Sequence, residues 1–145
     1  MIEPTAKLLR ATLCWLMLIA LAGCAKPATE MAHLRFVNAT SASGALDLYE
    51  TDNEVTGTLA IGTASGYVDL DADTYAFRVR TTGSAGNLLE SSQTLVKSTY
   101  YTMIAYGSEG NVKLSTLTET TAQPSSGYAK LRVLNTTGDA AGLDV

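Results

Sequence analysis

Between residues 33 and 118 the chain falls into short runs whose side chains alternate between two faces with a period of two. Leu34 and Phe36 fall opposite His33 and Arg35, and Leu46 and Leu48 opposite Asp47 and Tyr49. Tyr75, Phe77 and Val79 oppose Arg78 and Arg80; Tyr100, Thr102, Ile104 and Tyr106 alternate with Tyr101, Met103 and Ala105; Val112 and Leu114 oppose Lys113. Successive side chains of a strand point to opposite faces, so this pattern gives sheets with one dry and one wet face, as antiparallel sheets have. Ser43-Gly44, Gly62–Gly66, Gly83–Asn87 and Gly107–Asn111 supply residues that tolerate positive φ, and the last two read as hairpin loops. The spacing predicts strands near 33–38, 45–50, 57–61, 66–70, 74–81, 88–96, 99–106, 111–118 and 129–134. Many short strands at regular intervals predict an all-β fold, an antiparallel β-sandwich. Leu34, Phe36, Leu46, Leu48, Phe77, Val79 and Ile104 are its expected core.

The first of these strands recurs. Shifted by 97, Ala32–Leu48 falls on Ala129–Val145 with seven of 17 positions identical, among them Leu34/Leu131, Arg35/Arg132, Asn38/Asn135 and Asp47/Asp144. Unrelated segments would match at roughly one position. Residues 119–128, polar with Pro124 and Gly127, read as a linker between a sandwich at 32–118 and the start of an incomplete second repeat at 129–145.

The N-terminus has another character. Lys7 and Arg10 precede 13 uncharged residues, Ala11–Gly23, too few to span a bilayer, which needs about 20. Residues 1–23 therefore read as a signal peptide. Leu21-Ala22-Gly23-Cys24 resembles the lipobox of bacterial lipoproteins. That resemblance implies cleavage before Cys24, a lipid on its sulfur and a localisation in the bacterial cell envelope, with 24–31 as a tether. Ala25 after the cysteine points to the outer membrane where the host is diderm. Cys14 leaves with the signal, so no disulfide holds the mature domain. What remains has 8 basic and 13 acidic groups, a net charge of −5. Such a chain has no electrostatic pull on phosphate backbones, which sets nucleic acid aside as a partner.

Leu34-Arg35-Phe36-Val37-Asn38, Asp47-Leu48-Tyr49, Ser65-Gly66-Tyr67, Asp73-Thr74-Tyr75, Tyr100-Tyr101-Thr102 and Ala105-Tyr106-Gly107 together resemble the domain of unknown function 4397 family. The resemblance implies a sandwich similar to immunoglobulin-like or prealbumin-like domains, often in tandem in secreted or lipid-anchored proteins. It brings no catalytic residues. Asp71-Ala72-Asp73 departs from the Pro-Ala-Gly common in that family.

Few residues suggest chemistry. Asp69, Asp71 and Asp73 imitate the start of a Ca²⁺ loop, but its sharp-turn Gly and distal Glu are missing. The same stretch, followed by Tyr75, reads better as a tyrosine corner. His33, the sole histidine, would have to serve any Ser-His-Asp site, yet it lies on a wet face and is replaced by Lys130 in the repeat. Arg35 and Asp47 suggest a cross-strand pair. Asn38-Ala39-Thr40 and Asn135-Thr136-Thr137 match the glycosylation pattern and read as side-chain-to-backbone turns. Tyr49, Tyr67, Tyr101 and Tyr106 form a possible contact surface, since a phenol ring has an apolar body and a polar tip. The expectation is a non-catalytic envelope module that needs no cofactor, partnered by the membrane through its lipid and by envelope proteins. The rivals are a polysaccharide-binding module using the tyrosines and, further off, a hydrolase.

Overall fold

The computed structural model describes residues 31–137. The expected signal peptide, Cys24, the tether up to residue 30 and the repeat beyond Thr137 lie outside the described residues. Within them run nine strands: β1 (Met31–Thr40), β2 (Leu46–Glu50), β3 (Asn53–Leu59), β4 (Thr63–Ala64), β5 (Val68–Asp71), β6 (Thr74–Thr81), β7 (Asn87–Thr94), β8 (Tyr100–Ser108) and β9 (Asn111–Glu119). One sheet has β1 at its centre, with β4 and β5 along one edge, β8 on the other, and β9 outside β8. The second runs β3-β2-β6-β7. The two face each other as a β-sandwich.

The pairing is antiparallel throughout except between β1 and β8, which are parallel from His33↔Tyr100 to Thr40↔Gly107. A hairpin would force opposite directions, but here the chain comes back to β1 only after passing through the other sheet. The β8–β9 turn shows what a glycine supplies. Gly107 has φ +102, and a Cβ there would lie 2.4 Å from the Asn111 carbonyl oxygen, so no larger residue fits.

Even-numbered β1 residues point inward: Ala32, Leu34, Phe36 and Asn38 have no exposed surface. They meet Leu46, Leu48, Phe77 and Val79 of the second sheet, with Leu59, Leu95, Tyr101 and Met103 completing the core. Burying each large side chain contributes about 1.5–3 kcal/mol, and these contacts are what bind the two sheets. Asn38 adds a polar stitch. Its Nδ2 donates to the Gly44 and Leu59 carbonyls, each at 2.9 Å, while its Oδ1 accepts from Thr40 N and Oγ1. The expected corner is present, with Tyr75 Oη donating to the Asp71 carbonyl at 3.0 Å.

Three expectations need correction. Ile104 is buried but stands outside the core cluster, on the outer face of its sheet. Tyr100–Tyr106 is largely apolar on both sides, so alternation alone leaves the phase of this strand open. The register with β1, Leu34↔Tyr101 and Phe36↔Met103, turns the odd residues inward. Arg35 and Asp47 do not pair, because β1 and β2 belong to different sheets. Asp47 Oδ1 instead accepts from the Thr58 amide at 2.6 Å and Thr82 Oγ1 at 2.5 Å. Thr58 has φ +54, beside irregular β2–β3 pairing, so the carboxylate holds that backbone in place. Finally, residues 129–134 form no strand, and Leu131 is 87% exposed. The equivalent β1 is a strand because β5 and β8 flank it; among the described residues, 129–134 has no such neighbours.

Candidate functional site

With even residues of β1 turned inward, the odd ones build the outer face of the first sheet, and strand register sets them in rows. One row crosses four strands: Asp69, His33, Tyr100 and Glu119. The next holds Arg35, Thr102 and Leu117, and the one beyond it Val37, Ile104 and Ser115. Side chains directly opposite on paired strands are near neighbours, so each row sets its members side by side.

His33 Nδ1 donates to Asp69 Oδ1 at 2.6 Å. Its ring stacks on Tyr100 with centroids 4.2 Å apart and planes at 23°. Tyr67 meets Tyr100 edge-on at 5.1 Å, and the Arg35 guanidinium lies 5.2 Å from the Tyr67 centroid. Arg35 Nε donates to Thr102 Oγ1 at 2.8 Å, and Thr102 Oγ1 donates to Glu119 Oε1 at 2.6 Å. The result is one continuous polar and aromatic network. Its exposed members are Tyr67, 42% accessible, and the Asp69 side chain, 60% accessible. Such an arrangement suits contact with a partner: the rings supply apolar area, and the charges at their rim supply direction.

The four tyrosines expected to share a surface are not together. Tyr67 lies in this network. Tyr106 is half-buried on the same outer face, near Ile104 and Leu134. Tyr49 lies on the opposite sheet, where the Arg80 guanidinium covers its ring at 4.4 Å and its hydroxyl donates to Glu54 at 3.2 Å. Desolvation, and then the Glu54 carboxylate, raise that hydroxyl above the ordinary phenol value. Tyr101 is a correction: it is 5% exposed, a core residue whose hydroxyl accepts from the Val96 amide at 3.0 Å. Its neighbour Tyr100 takes its place on the surface. Sequence reasoning also missed Thr102 and Glu119, and left His33 as a plain polar residue. Local alternation marked His33 and Arg35 as outward, but nothing local announces that Tyr100 lies beside them.

The three aspartates also have separate employments. Asp69 accepts from His33, the Asp71 carbonyl accepts from Tyr75, and Asp73 Oδ1 accepts from the Thr74 amide at 2.7 Å. Among the described residues no three His, Cys, Asp or Glu side chains gather as metal ligands would. Millimolar Ca²⁺ is therefore expected to leave the melting temperature in place. A site filled at 100 times its Kd would add about 2.7 kcal/mol, several degrees in a domain of this size. A rise of that size, abolished by Asp71→Ala, is the contrary result.

No curated protein matches the chain. Among solved structures, the C-terminal domain of AlgF from P. aeruginosa is similar at a TM-score of 0.49 and 14% identity, covering 62% of this chain and 99% of that one. The family model described as "Domain of unknown function (DUF4397)" matches residues 32–145 as one span. By that match the chain belongs to the DUF4397 family.

Proposed function

We propose that this protein is a non-catalytic recognition module, lipid-anchored at Cys24 to the bacterial cell envelope, that binds another envelope protein through the outer face of its β1–β8–β9 sheet. What carries the reading is the network of His33, Tyr67, Tyr100, Arg35 and Asp69 on an open sheet face. It combines aromatic rings and an arginine, the residue types enriched at protein interfaces. The ring geometry favours a protein over a polysaccharide. Sugars stack on open ring faces, whereas His33 covers one face of Tyr100 and Arg35 one face of Tyr67. The polysaccharide reading keeps one support, the 42% exposure of Tyr67.

A hydrolase would use His33 and Asp69 as base and orienting acid. Here the imidazole is held by stacking on one side and by a carboxylate at Nδ1, which suits a fixed contact residue equally well.

Site-specific photocrosslinking in intact cells tests the proposal. A crosslinker at position 67 is expected to trap a discrete protein partner, while one at position 49, on the other sheet, traps none. Equal yields at both positions would overturn the choice of face. Capture of cell-wall polymer at position 67, without protein, would favour the polysaccharide reading.

A further inference from the structure

The far half of the same face has another occupant. Past Glu119 the chain doubles back: Tyr128 N donates to the Ser125 carbonyl at 3.0 Å, and Lys130 Nζ donates to the Ala122 carbonyl. This return brings Arg132 to the end of β9. There Arg132 Nη1 donates to Glu119 Oε2 at 3.2 Å and Nη2 to the Thr118 carbonyl at 3.4 Å. Arg35 approaches the other oxygen of the same carboxylate, Nη2 to Oε1 at 3.5 Å. Arg35 and Arg132 are the same position of the repeat. Glu119 thus holds one arginine from each copy, one on each oxygen.

Beyond the arginines, Leu134 and Thr136 line an open cleft of about 280 Å³ together with Ile104 and Leu117. The outer-face side chains of β8 beneath are closed off, with Thr102 4% and Ile104 5% exposed. The copies also share their local turn. Thr137 N and Oγ1 donate to Asn135 Oδ1 at 3.0 and 2.6 Å, as Thr40 N and Oγ1 donate to Asn38 Oδ1 at 3.2 and 2.7 Å. The repeat segment therefore lies against the sheet with a conformation of its own at its end.

From this we infer that the apolar half of the outer face is a docking surface for the opening segment of the second repeat, which meets it through Arg132, Leu134 and Thr136 and is clasped by Glu119. The chain itself overlies Val37–Ile104–Leu117 across that cleft, and the aromatic half is what remains for an external partner. The clasp also joins the halves, because Arg132, Glu119, Thr102, Arg35 and Tyr67 form one line of contacts. Units linked this way hold a fixed relative orientation where a polar linker alone would let them swing.

Methyl NMR on the full chain in detergent tests it. A cross-peak between the Leu134 methyls and the Ile104 δ1 methyl is expected. Arg132→Gln and Glu119→Gln should each weaken it several-fold, and the double variant no further, because both break one interaction. Unchanged amide shifts across β1 and β8 show that the sandwich stands in each variant. Should Glu119→Gln disturb those shifts, Arg132→Gln alone decides. A missing cross-peak in the unmodified chain, or one that survives Arg132→Gln at full strength, overturns the inference. So does a double variant weaker than both singles combined.

Discussion

Replacing Asn38 by Ala should destabilise the domain by about 3–5 kcal/mol, the upper tail of single substitutions, and lower its Tm by more than about 12 °C. The side chain is fully buried and makes four hydrogen bonds, two of them to the Gly44 and Leu59 carbonyls that lead into and out of the second sheet. Removing it leaves two carbonyls and the Thr40 amide and hydroxyl without this partner, and all but the Gly44 carbonyl lie in buried surroundings. The repeat supplies an internal control. Asn135 makes the same two bonds to its own Thr137, but in an exposed setting. Asn135→Ala should therefore change stability by less than about 0.5 kcal/mol. Thermal denaturation of the two variants checks the pair. Equal losses would mean that the Asx turn, and not the inter-sheet stitch, is what matters.

Cys24→Ser should empty the membrane fraction of this protein. The proposed anchor carries two or more acyl chains, each contributing about 0.8 kcal/mol per buried CH₂. Fractionation should find the wild type with membranes and the variant in the soluble pool or as uncleaved precursor. Mass spectrometry of the wild type should show an acylated Cys24 as the first residue. An unmodified N-terminus at Cys24 or later is the result that would end the lipoprotein reading.

How far the sequence spoke depends on whether a feature is local. Alternation is local, and Leu34/Phe36 or Phe77/Val79 sit in the core as their pattern required. The tyrosine corner was legible for the same reason, as Tyr75 and Asp71 lie four residues apart. Tyr101 and Ile104 were misassigned because their strand is apolar on both sides, and only pairing with β1 decides which side faces in. The site was less legible still. His33, Asp69 and Tyr100 come from three separate stretches, and a row across a sheet leaves no trace in any one of them. The repeat showed that Arg35 and Arg132 correspond; that they meet on Glu119 needed the chain reversal at 119–132.

The parallel β1–β8 ladder has a kinetic consequence. Its partners are 67 residues apart, as Arg35 and Thr102 show. Closing so long a loop costs entropy before any contact offsets it, and chains dominated by such pairings fold in milliseconds to seconds, where helical bundles take microseconds. The central strand cannot finish its sheet until Tyr100–Ser108 has emerged. A chain exported in the order of its sequence would thus cross as an open polymer and close its sandwich only on the far side, with the last hairpin.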